Sequence, residues 1–267
     1  MEQIGRFDNC FSLGWFCGTA SSLSQLGLRS FSGPFDWYFS DFSSVLNQID
    51  KEFTDFMKKE NLEVTDNNLL VFKDTKYNFY CNHDIKENFE IEYLNIYNKY
   101  RKRADRFLES IKNPTCFFRA VRTETEVKYI IKNVDYIEDI LKRYNSENSI
   151  VYILLRDMDP LPSNLKWFRL TSKEYIGKVY EMRNMFGQSK ELLQFCKTLL
   201  SLEKIKSNKK FDFQKYGQMA AINEVDYYIY NDIDGIDKKI SAAFNLQSDG
   251  LFYIGGGGNM VFHYIAI

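Results

Sequence analysis

Two apolar runs, residues 115–121 and 149–155, flank one amphipathic stretch at 124–144, and this order constrains the fold more than any other feature of the chain. The first run reads Thr-Cys-Phe-Phe-Arg-Ala-Val and the second Ser-Ile-Val-Tyr-Ile-Leu-Leu. Neither alternates polar with apolar, so each is expected to be a strand covered on both faces. Between them Val127, Ile130, Ile131, Val134, Ile137 and Leu141 recur at helical spacing. A helix joining two strands of one sheet is a crossover, which makes the strands parallel and the connection right-handed. Arg119 is the anomaly. A charge inside a buried strand must find a partner, and Asp36 is the carboxylate expected to supply it.

Before this unit, a short helix is expected over 15–26, stopping at Gly27, which suits the left-handed position past a helix end. Ser32-Gly33-Pro34 is a turn signal. Ser40 is the expected cap of a helix through Phe42, Val45, Leu46, Ile49, Phe53 and Phe56. Residues 69–72 read as a short strand. Tyr77, Phe79, Cys81 and His83 share one face of another. A long helix with Tyr93, Ile96, Tyr100 and Phe107 on its apolar stripe ends at Asn113-Pro114. Further on, a strand is expected at 165–170, helix within 173–202, a lysine-rich loop at 204–215 and a helix near 236–244. Two short strands are expected around Gly255-Gly256-Gly257-Gly258. That glycine run lacks the Gly-Lys-Ser/Thr of a phosphate loop and reads as a turn. No repeat or domain boundary stands out, so one domain spanning 1–267 is expected.

The formal net charge is −1, which leaves no domain-wide field for phosphate neutralisation and speaks against nucleic acid as the partner. The basic run from Lys99 to Arg106 is read as the solvated face of a helix, with an anion site as the alternative. No apolar run approaches the length of a membrane helix. The five cysteines are irregularly spaced and odd in number, which fits a reducing cytosol better than a disulfide framework. Residues 1–9 show no basic segment leading into an apolar one, so no signal peptide is expected there. No cofactor is implied.

A nucleophilic thiol must be a thiolate with a base beside it. Cys17 falls in the first turn of the expected 15–26 helix, where unpaired N–H groups and the helix dipole favour an anion. The chain holds two histidines, His83 and His263. His83 lies at a strand end between Asn82 and Asp84, whereas His263 lies inside the apolar run 260–265. His83 is therefore the candidate base, since catalytic groups gather at element ends.

Ser12-Leu13-Gly14-Trp15-Phe16-Cys17, Gly27-Leu28-Arg29 and Ser32-Gly33-Pro34-Phe35-Asp36-Trp37 resemble the opening signature of a papain-like cysteine peptidase family, domain of unknown function 1796. Asn82-His83-Asp84, the helix carrying Tyr97, Tyr100, Arg101, Arg103 and Arg106-Phe107, and Phe117-Phe118-Arg119 resemble its later blocks. The resemblance covers about residues 8–155 and leaves 156–267 unassigned. It implies an α+β, papain-like fold around the embedded strand–helix–strand unit. It also implies Cys17 as nucleophile and His83 as base of a cysteine-dependent hydrolase acting on peptide, amide or acyl bonds. The chain departs from papain itself: Phe11 stands where a glutamine would supply an oxyanion donor. Ser12 and Asn9 are the candidate donors alongside the Cys17 backbone N–H. Asp36 is the preferred residue to orient the imidazole; Asp84 counts less because it adjoins His83 and neighbours along a strand point to opposite faces, and Asp157 is a weaker candidate. Trp37 is read as a cleft wall or a core residue.

Three alternatives stay open at this level. An acyltransferase would use the same thioester with another acceptor. A zinc site would draw on Cys10, Cys17, Cys81 and His83, although neither Cys-x6-Cys nor Cys-x-His is a usual ligand spacing. A non-catalytic binding domain would keep the fold alone.

Overall fold

The computed structural model describes residues 7–66, 71–81, 84–85, 88–155, 157–170, 185–199, 252–256 and 260–264. The first half contains β1 (Asn9–Ser12), α1 (Cys17–Gln25), α2 (Phe42–Asp50), β2 (Leu62–Asp66), β3 (Val71–Asp74), β4 (Phe79–Cys81) and α3 (Phe89–Ser110). There follow β5 (Thr115–Val121), α4 (Glu124–Lys132), α5 (Val134–Lys142), β6 (Ser149–Leu154), β7 (Lys166–Arg169), α6 (Lys190–Lys197), β8 (Phe252–Gly256) and β9 (Met260–Tyr264). The class is α+β with sheets of both kinds. Four parallel strands lie in the order β1-β5-β6-β7, while β2-β3-β4 and β8-β9 are antiparallel. Among the described residues no helix is long and apolar enough to cross a membrane.

Every residue of β5 is buried, because side chains alternate between two covered faces. Phe117 and Val121 pack with Phe11, Leu13, Tyr152 and Leu154 into a core closed by α2 to α5. Cys116, Phe118 and Ala120 pack on the other face with Cys10, Val151 and Ile153, under Leu23 of α1 and Leu192 and Phe195 of α6. Each such apolar side chain contributes about 1.5–3 kcal/mol on burial. The β5–β6 pairing is parallel, with Arg119 opposite Tyr152, so the expected strand–helix–strand unit is present. Its helix is two helices, however. Asn133 leaves helical geometry at φ −122° and turns its amide back to the Tyr129 carbonyl at 2.7 Å. That local bond competes with the helical ladder. Ile131, expected on the buried stripe, is exposed on α4.

Other departures have equally local causes. α2 stops at Asp50, and Phe53 and Phe56 reach the core from a turn with positive φ at Glu52, Phe53 and Met57. Asp41 occupies the cap position expected for Ser40, which is spent elsewhere. β2 was not expected, and β3 begins two residues later than the strand read at 69–72. β4 is shorter than expected: Tyr77 lies in the preceding turn, while Phe79 and Cys81 do share the buried face. The expected strands flanking the glycine run form the β8–β9 hairpin, where His263 pairs in register with Tyr253. The expectations for 204–215 and 236–244 lie outside the described residues.

Asp74 ends β3 and closes the turn to β4 by accepting the N–H groups of Lys76 and Tyr77, each at 3.0 Å. Burial outweighs these bonds and pushes its carboxyl up to about 6. A carboxyl raised on folding takes up a proton as the chain folds. Its stabilising share is complete below about pH 4 and is lost as pH rises through its folded-state value. Urea unfolding is expected to show the wild type losing about 1–2 kcal/mol more than Asp74→Asn between about pH 4.5 and 7, after allowance for screening. Parallel pH profiles for the two proteins would contradict this.

Candidate functional site

β1 feeds α1 through a short turn at the carboxyl end of the parallel sheet, the end at which open α/β sheets bind ligands. Leu13 still pairs with β5, its N–H donating to Phe118 at 2.8 Å. Gly14 and Trp15 then take φ of +77° and +60°, Phe16 returns to extended geometry, and Cys17 opens α1. Positive φ at a bulky residue is uncommon and needs its surroundings to hold it. Trp15 is held by the rings of Phe16 and Phe39, at 4.7 and 5.8 Å, with the Arg122 guanidinium 4.7 Å from its centroid. α1 starts with no side-chain cap and no acid in its first turn. Its N-terminal partial positive charge is thus directed at the Cys17 region, with no acid of the first turn to offset it.

The five cysteines divide sharply. Cys10, Cys81, Cys116 and Cys196 are buried, and Cys17 alone is half-buried. Burial pushes the Cys116 and Cys196 thiols well up, so they stay neutral. Cys10 and Cys116 pair in register within one core, while Cys81 belongs to the other and donates to Asp84 at 3.2 Å. Cys10 and Cys81 thus sit in separate cores, which parts two of the four residues that the zinc-site alternative would draw on. Among the described residues no metal-binding group of three such side chains is gathered.

The remaining candidates are placed as follows. His83 lies outside the described residues. Ser12 is buried, and its hydroxyl oxygen accepts the Gly14 N–H at 3.1 Å, so it shapes the turn before Cys17. Asn9 is corrected: it begins β1, about 10 Å of strand from Ser12, and its amide donates to the Ser110 carbonyl. Asp36 is buried, with Oδ2 taking Arg29 at 2.6 Å and the Gly33 N–H at 2.9 Å. Burial pushes its carboxyl up against the pull of Arg29. Those contacts make Asp36 the pin of the Gly33–Trp37 turn. Trp37 is half-buried beneath Arg29, 5.6 Å from its ring centroid, and is not the core residue one reading expected.

Asp84 is engaged by Lys99, by the Tyr100 hydroxyl at 2.5 Å and by Cys81. Burial raises it, but these donors prevail and hold it below the usual carboxylate range. Its partners belong to α3 and β4. Asp157 is exposed and pairs with Arg169 at 3.3 Å.

Arg119 does not pair with Asp36. Its Nε donates to Glu126 at 2.6 Å, one Nη to the Leu13 carbonyl and the other to the Ser40 carbonyl, both at 2.8 Å. Leu13 borders the turn before Cys17, and Ser40 follows the Gly33–Trp37 turn. The guanidinium therefore ties together the two stretches that carry the opening signature. Arg122 escaped the sequence reading. Its position just past the carboxyl end of β5, on the same sheet edge as Cys17, was the available signal.

A family model described as "Putative papain-like cysteine peptidase (DUF1796)" matches residues 8–157. The chain belongs to this family. The matched DUF1796 region holds β1 to β6, hence both the Cys17 turn and the Arg119 clamp. "Uncharacterized protein R408" of Acanthamoeba polyphaga mimivirus is 27% identical over 216 residues, covering 71% of this chain and 96% of that protein. No solved structure matches the chain.

Proposed function

We propose that the protein is a cysteine-dependent hydrolase of amide or peptide bonds with Cys17 as its nucleophile. The observation that carries this reading is the placement of the one half-buried thiol at the start of α1, behind a left-handed turn at the carboxyl end of a parallel sheet. A strand–strained turn–helix is the arrangement that lifts a nucleophile clear of a sheet and leaves backbone N–H groups beside it. The family description supports both the papain-like label and the hydrolase class.

In the proposed reaction the Cys17 thiolate attacks the carbonyl carbon. The oxyanion takes hydrogen bonds from first-turn N–H groups of α1. The C–N bond breaks as His83 gives a proton to the leaving amine, and a thioester remains on Cys17. Water, deprotonated by His83, then releases the acid. Ser12 and Arg119 position the turn.

Intact-mass analysis after incubation with peptide, isopeptide and acyl-thioester panels tests the reading. An acyl adduct on Cys17 is expected, absent in Cys17→Ala, with acylation falling about 10²–10⁴-fold in His83→Ala. Turnover that survives Cys17→Ala would refute the assignment. Adduct transfer to an amine in preference to water would make the chain an acyltransferase.

A further inference from the structure

We propose that the cleft between α3 and the Phe31–Ser32 segment binds a small molecule carrying at least one phosphate group. The cleft has a volume of about 910 Å³, within the range of small-molecule sites. Lys99, Lys102, Arg103 and Arg106 line it. Their spacing of three, four and seven along α3 puts all four cations on one helix face. Two like-charge pairs at i,i+4 result, an arrangement that weakens a helix.

Carboxylates set against these charges are few, and Arg103 acts at a distance on the buried Asp36. Lys99 is paired with Asp84, whereas no ion pair joins Lys102, Arg103 or Arg106 to a carboxylate among the described residues. Asp105, the one acid in the lining, is engaged by Arg101 at 3.2 Å. One Nη of Arg103 is buried with no hydrogen-bond partner among the described residues. An unmet donor on a charged group is costly to fold around, and an incoming anion would meet it. Both arginines are also pre-set. Arg103 lies over Tyr100 at 4.8 Å and Arg106 over Phe31 at 4.6 Å. Stacking holds each guanidinium plane and leaves its edge for the bidentate contact that suits phosphate oxygens. The overall charge of −1 and the confined size of the cluster favour a small ligand over a nucleic acid.

The test is calorimetric titration of the full chain with pyrophosphate and with ADP, at low and moderate salt. Binding is expected with Kd below about 1 mM at low salt, weakening as salt rises. Lys102 and Arg106 are exposed, so Lys102→Glu and Arg106→Glu should fold normally, which circular dichroism checks. Each is expected to weaken binding by about tenfold or more. Neither should alter alkylation of Cys17, which keeps this proposal separate from the hydrolase reading. Three results would overturn it: no binding of either probe at about 10 mM, affinity unchanged when Lys102→Glu and Arg106→Glu are combined in one chain, or tight binding of a short RNA with pyrophosphate unable to compete.

Discussion

Arg119→Met is expected to cost the fold about 3–5 kcal/mol, the range for breaking a buried ion pair from one side. Arg119 is fully buried at the centre of the parallel sheet. It neutralises Glu126, satisfies the Leu13 and Ser40 carbonyls, and lies 5.1 Å from the Phe42 centroid. Methionine fills much of the same space, so a cavity is not the main loss. The loss is a carboxylate left near-buried and two carbonyls left without donors. Adding Glu126→Gln to the variant should recover part of the deficit, since the stranded charge is then gone. Urea unfolding of the single and double variants measures both terms. A single-variant loss under about 1 kcal/mol would mean that the clamp holds nothing together.

Gly14→Ala should cost about 2–4 kcal/mol and disorder the turn that presents Cys17. A β-carbon at this position would lie 2.6 Å from Ser40 Oγ and 3.2 Å from the Phe35 carbonyl oxygen, at φ +77°. Ser40 Oγ can rotate, but the backbone oxygen cannot leave without shifting the signature segment. The chain supplies its own control. Gly27 has a similar φ of +67° with nothing within 4 Å of its would-be β-carbon. Gly27→Ala therefore carries the conformational cost alone, about 1 kcal/mol. Equal losses at the two glycines would show that the contact with Ser40 and Phe35 is not tight.

The sheet was legible in the sequence because its strands need both faces covered. β5 and β6 are continuous apolar runs, and no other element tolerates seven consecutive buried residues so readily. β2 was illegible because Leu62-Glu63-Val64-Thr65-Asp66 places charge among its apolar positions. The break at Asn133 was hidden by an apolar period that runs on through it. Cys17 was legible through its helix start and its signature. The partner of Arg119 was misread because Glu126 opens the helix that follows the strand, where a return of the chain over its own sheet brings it back. The place of Asn9 was readable from strand length alone, and that of Asp36 was not: only packing shows that Arg29 and Gly33 both bond its Oδ2, leaving Oδ1 buried without a hydrogen bond among the described residues.

The most direct test of the central claim is the rate at which iodoacetamide alkylates each cysteine of the folded chain at neutral pH, read by peptide mass. Cys17 is expected to react about tenfold or more faster than a cysteine in an unstructured peptide, with the four buried thiols silent until the chain is unfolded. If Cys17 reacts at the unstructured rate or slower, the start of α1 does not activate its sulfur, and the nucleophile assignment is wrong.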